Sequence, residues 1–302
     1  LMDQNKKEEA FNRLLSLSKK EINDGLALRT QIEIAIILTL ENKVEELQQC
    51  LIRCEELITK GALKKIPNKV NQVYVGGYYE FISKLINKLK DARYEDSSNQ
   101  NTIMHVGESH CLSFAHQIIK FNSNEFQIIP ILVQGAKAWH LGSESKNRFN
   151  CSFIAKINAC QPAKHILISF GEIDCRQNEG ILNFSNKYNK EIKNVAKITI
   201  IKYLNFMESK LKSKFENRHY FGVAAPTIKT NSNLFTQKEK NRIDLIKFFN
   251  ASLEKECASR KLSYIDIYKL TKNNQGTNNR LHMIDDVHLS PSSLKQLMED
   301  GL

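Results

Sequence analysis

The chain has 302 residues, 41% of them hydrophobic and 25% charged, with a net charge of +11. That length holds one large or two modest domains with a real core, and the ordinary apolar fraction without low-complexity tracts predicts a soluble folded protein. The longest apolar run, Ile32 to Leu40, contains Glu33 and is too short to span a bilayer, and the charged opening LMDQNKKEEAF does not read as a signal peptide.

Residues 4–22 place Phe11, Leu14, Leu15 and Ile22 at amphipathic helical spacing. Further helices are predicted over 25–40, over 43–59 with Val44, Leu47, Leu51, Cys54 and Ile58 on one face, and over about 78–91 through Phe81, Ile82, Leu85 and Leu89. Such helices, joined by short breaks, resemble a tetratricopeptide-type hairpin stack, although no repeat of roughly 34 residues is measurable. The first domain is therefore drawn as a helical region over 1–95, a face for docking a protein partner. The polar run EDSSNQN at 95–101 is the predicted linker.

From residue 102 the pattern changes to strand–helix alternation. Strands are predicted at 102–106, 127–133, 164–170, 219–224 and 262–267, with helices near 111–121, 144–160, 188–215 and 237–258. Five strands alternating with helices predict an α/β domain over 102–302, its parallel sheet covered on both faces. In such sheets the site lies at the carboxyl ends of the strands. Seven cysteines without a CxxC pair point to reduced thiols in a cytoplasmic protein, with neither a disulfide frame nor a zinc site.

Four short stretches carry the chemistry. In GES (107–109), Gly107 lets the chain reverse after the first strand and Ser109 sits where a nucleophile has helix-start N–H groups beside it; a serine there also N-caps a helix. VQGAKAW (133–139) puts Gly135 after the second strand, and SFGEIDCR (169–176) follows the third. In DDVHLSP (285–291) Asp285 and His288 are three apart, so one loop carries a base and the carboxylate that orients it, with Asp286 as a competing partner.

A Gly-acid-Ser turn, a later Gly, a Gly-x-x-Asp and an Asp-x-x-His before a final helix, in this order, resemble the SGNH (GDSL-like) hydrolases over residues 102–302. The resemblance implies a three-layer flavodoxin-like fold without metal or organic cofactor and a serine esterase or acyl-transfer activity. It makes Ser109 the nucleophile, His288 the general base and Asp285 its orienter. Ser109 and Gly135 become the oxyanion N–H donors. The family's Gly-x-Asn-Asp reads Gly171, Glu172, Ile173, Asp174 here, so the side-chain oxyanion donor is missing, a loss of about 3 kcal/mol of transition-state stabilisation.

Arg176, Glu172, Asp174 and His110 are the candidate substrate-binding residues. Arg176 either grips a carboxylate or sugar hydroxyl or forms an internal salt bridge with Glu172, Asp174 or Glu108. His110 is either a first-turn helix residue or part of the chemistry. The expected substrate is a small ester or O-acylated glycan; the rival reading, favoured by Ile173, is a binding protein for a glycan or acidic ligand. Residues 101–302 hold 28 Lys and Arg against 18 Asp and Glu, concentrated over 187–218. That stretch lacks interleaved aromatics, so nucleic acid is not expected, and no membrane is expected either.

Overall fold

In the computed structural model the chain is described over residues 9, 11–14, 16, 23–89, 101–121, 124–228, 235–294 and 296–297. Most of the helix expected over 4–22, and the linker at 95–101 apart from Asn101, lie outside these residues. The chain forms two compact units, Leu1–Asp96 with Ala115–Gln117, and Ser97–Phe114 with Ile118–Leu302.

The first unit contains helices α1 (Asp24–Leu40), α2 (Val44–Thr59) and α3 (Lys69–Leu89), with a 3-10 turn at Ala62–Lys65. Asn23 caps α1 by accepting the Gly25 N–H at 2.8 Å. Of the stripe expected on α2, Leu47, Leu51 and Cys54 are buried, together with Cys50, while Val44 and Ile58 are half-buried. α3 starts nine residues earlier than its predicted bound. Gly76 and Gly77, which weaken a helix locally, lie inside it, and a methyl at Gly76 would touch Leu63 at 3.6 Å, so packing overrides propensity there.

The second unit is a six-stranded sheet ordered β2-β3-β1-β4-β5-β6: β1 (Asn101–Gly107), β2 (Ile118–Phe121), β3 (Asn124–Leu132), β4 (His165–Ser169), β5 (Asn217–Phe221) and β6 (Ser263–Ile265). All neighbours are parallel except β2, which runs antiparallel to β3 at the edge. This corrects the five-stranded parallel expectation. The extra strand falls inside the helix predicted over 111–121. Only a 3-10 turn forms, over Ser109–Phe114, before His116, at φ 61, turns the chain out of helical geometry.

The remaining helices are α4 (Ala138–Leu141), α5 (Arg148–Ala159), α6 (Gly180–Tyr188), α7 (Ile192–Leu211), α8 (Gln237–Ser259) and α9 (Ile267–Thr271). Strand alternation divides the core. Met104, Val106, Ile166 and Ile168 pack with Phe153, Tyr203, Leu204, Phe249 and Leu253, while Ile103, Leu167, Phe221 and Ile265 pack with Phe114, Leu294 and Leu297. Each buried Leu, Ile or Phe is worth about 1.5–3 kcal/mol, so both faces hold the sheet, as a parallel sheet requires. The basic stretch is partly turned inward: Arg218 pairs with Glu208 at 3.0 Å and Lys214 donates to the Ile157 carbonyl at 2.8 Å.

Candidate active site

The ends of the adjacent strands β3, β1 and β4 meet at one place. Val133 N–H, just past β3, donates to the Gly107 carbonyl at 2.7 Å, and Gly107 pairs with Ser169 at the end of β4. The next two residues are Glu108 and Ser109, both buried.

Ser109 Oγ lies 2.8 Å from His288 Nε2, and His288 Nδ1 lies 2.7 Å from Asp285 Oδ2. The other carboxylate oxygen of Asp285 accepts the Val287 and His288 N–H groups at 2.7 and 2.6 Å, so one side chain both shapes the loop and aligns the ring. Burial alone would raise the Asp285 carboxyl; the His288 contact and the two N–H groups hold it down at about 2. A carboxylate on Nδ1 selects the tautomer whose Nε2 can accept a proton. Asp285, rather than Asp286, is the residue facing the ring.

The Ser109 hydroxyl also donates to Glu108 Oε2 at 2.8 Å. One proton thus stands between two acceptors. The other Glu108 oxygen is 2.9 Å from His110 Nδ1, a short contact whose direction suits an ion pair rather than a linear hydrogen bond. Burial would neutralise both groups, but their attraction wins: Glu108 is held down at about 2, with Arg176 and His288 contributing, and His110 is held up at about 9. The signs fix a pH window. Glu108 binds protons more weakly in the fold, so its stabilisation is present above 4.5 and lost as pH falls toward 2; that of His110 is present below 6.5 and lost as pH rises through 9. The Tm difference between wild type and Glu108→Gln should be largest near pH ~5.5 and shrink by pH ~10. A difference that grows toward pH ~10 would contradict the pairing.

After β4 the chain makes a 3-10 turn, Ile173–Cys175. Gly171, at φ 122, could not carry a side chain, because a Cβ would sit 2.9 Å from the Phe249 ring. Glu172 lies between two arginines, with Arg176 Nε at 2.7 Å and an Arg242 terminal nitrogen at 3.4 Å. Arg176 also reaches Glu179 at 3.4 Å, so of its two predicted roles the structure displays the internal salt bridge. Asp174 departs from its expected place in substrate binding. It is fully buried and accepts the Ala138 and Trp139 N–H groups at 2.7 and 3.1 Å, capping α4. Burial raises its carboxyl to about 6 against those N–H groups. Ile173 is 7% exposed and has no donor.

Gly135 occupies the turn after β3 at φ 67, a left-handed conformation that favours glycine. Beyond it His140 stacks on Phe149 with ring centroids 4.1 Å apart, and burial lowers its imidazole to about 4. Trp139 is half exposed.

Sequence reasoning passed over three participants. Arg242, on α8, is 70 residues from the Glu172 it touches, a separation no local motif signals. His105 and Ser169 bond across β1 and β4 at 2.9 Å, and burial lowers His105 to about 3, a neutral core imidazole under the site. Among the described residues no group of three or more His, Cys, Asp or Glu could hold a metal ion, and no helix is long and apolar enough to cross a membrane.

No family model and no curated protein matches the sequence. Among solved structures, the chain is similar to a GDSL-like lipase from Bacteroides thetaiotaomicron at 13% identity and TM-score 0.41, covering 71% of this chain and 95% of the other. A phospholipase A1 from Streptomyces albidoflavus aligns at 10% identity and TM-score 0.40, covering 68% and 100%. A carbohydrate acetylesterase from Sinorhizobium meliloti aligns at 11% and 0.37, covering 67% and 96%.

Proposed function

We propose that the second unit is a serine acyl hydrolase or acyltransferase of the SGNH type, acting on a small ester or O-acylated glycan. The observation that carries this reading is the Ser109–His288–Asp285 chain, two contacts of 2.8 and 2.7 Å at the carboxyl end of β1. Ser109 Oγ attacks the ester carbonyl carbon while its proton passes to His288 Nε2. The tetrahedral intermediate collapses, the bond to the leaving alcohol breaks, and His288 returns the proton to that oxygen. Water, or an acceptor hydroxyl in a transferase, then attacks the acyl-Ser109 carbonyl and gives its proton to His288; the bond from the acyl carbon to Oγ breaks, and His288 returns the proton to Ser109 Oγ. The Ser109 and Gly135 N–H groups serve as oxyanion donors, and the helices of the first unit serve to dock a protein partner.

The test is labelling with a fluorophosphonate probe followed by peptide mapping. Expected is one adduct, on Ser109, lost in His288→Ala. Absence of an adduct on a folded protein leaves the rival reading, a binding protein built on the same fold.

A further inference from the structure

Buried imidazole nitrogens are normally partnered, because an unpaired polar atom out of water is costly. Among the described residues His105, His116 and His219 each leave one ring nitrogen buried without a hydrogen bond, and His110 leaves both. Its Nδ1 faces Glu108 Oε1 at 2.9 Å, while Nε2 is buried and has no hydrogen-bond partner among the described residues. The residue is 8% exposed, follows Ser109 directly, and holds its ring 5.1 Å from that of His288. It also lines a small cavity with Glu108, Ser169, Glu172 and Leu289, although Ser109, its neighbour in the chain, is not in the lining.

The groups facing the ring are Glu108, Glu172, Arg176, His288 and His105. Burial and Arg176 work against a charged ring, and the two glutamates outweigh them. Ser169 also lines the cavity, but its hydroxyl is engaged with His105 at 2.9 Å. The Ile173 side chain has no polar atom, and Arg176 is held by Glu172 and Glu179.

Resting on the acyl-transfer reading above, we propose that His110 is a further catalytic residue: as an imidazolium clamped by Glu108, it donates its Nε2–H to the substrate oxygen that gains charge when Ser109 attacks. A charged donor makes a hydrogen bond roughly twice as strong as a neutral one, and in a water-excluded site it needs no reorganisation during the reaction. No proton leaves His110; it strengthens one bond in the transition state.

The experiment measures p-nitrophenyl acetate hydrolysis by the full chain across pH, for wild type, His110→Phe and His110→Asn, with fluorophosphonate labelling alongside. His110→Phe should lower kcat by about 10²–10³ with KM nearly unchanged, and His110→Asn, a neutral donor, should recover part of it. Wild-type kcat should fall as pH rises through about 9, where the ring loses its proton, and that fall should vanish in His110→Asn. Should His110→Phe fail to fold, the pH profile of His110→Asn decides alone. An alkaline fall that persists in His110→Asn, or a folded His110→Phe within threefold of wild type, overturns the proposal while labelling of Ser109 stands. A wild type that neither labels nor hydrolyses overturns both readings together.

Discussion

Ser109→Ala and His288→Ala should each reduce ester turnover by roughly 10⁴–10⁶-fold, and the double variant should be no worse than either single one. On the proposed acyl-transfer reading, the two groups act as one device. Without His288 the hydroxyl has no acceptor able to carry its proton on to the leaving oxygen, and without Ser109 the imidazole has no nucleophile to activate. Glu108 does not take over in His288→Ala. Against burial, its carboxyl is held down chiefly by His110, with Arg176 contributing, and both remain in that variant, so it is a weak base for the serine proton near neutral pH. Steady-state kinetics on p-nitrophenyl acetate, with circular dichroism to verify folding, gives the answer. Singles that retain a tenth of wild-type activity, or a double variant whose loss is the product of the two, would remove these residues from the chemistry.

The second large effect is on stability. Gly107→Ala places a methyl 2.2 Å from Ser169 Oγ, 2.8 Å from the Ser169 carbonyl oxygen and 3.2 Å from Cys111 Cβ. The hydroxyl can rotate away, but the carbonyl belongs to a strand paired on both edges. Relief therefore requires β1 and β4 to part at the point where the site begins. Overpacking of this kind costs about 1–3 kcal/mol, and more where backbone must move, so a loss of about 3 kcal/mol or more is expected in urea unfolding. Adding Ser169→Gly should return only part of it, because the carbonyl contact remains. A loss under about 0.5 kcal/mol would mean the two strands are not constrained here.

The site was legible because its residues lie in short stretches at strand ends: GES after β1, GEIDCR after β4, and an Asp and His sharing one loop. What stayed hidden depends on the surroundings of those stretches. Asp174 has the composition of a ligand-binding residue, and only the start of α4, 36 residues earlier, turns it into a cap. Glu108 reads as a harmless replacement until its two oxygens are seen on Ser109 and His110. In the fold, Leu112, Ala115, Ile118 and Ile119 imitate a helical stripe, and nothing local announces that His116 will adopt φ 61 and release the chain into β2. The predicted helix at 188–215 likewise begins only at Ile192, because Asn189, at φ 47, ends α6 in a left-handed cap.

The distance along the chain between nucleophile and base has a consequence in time. His288 lies 179 residues after Ser109. At ribosomal speeds of about 5–20 residues per second, the base is polymerised roughly ten to forty seconds after the serine. During that interval β1, β3 and β4 can already pair, since all three are complete by residue 169. The serine then has Glu108 as its hydrogen-bond acceptor and lacks the imidazole. The Ser109–His288 contact forms only when the loop carrying Asp285 and His288 docks, so a chain still lacking that loop can pair β1, β3 and β4 without completing the site.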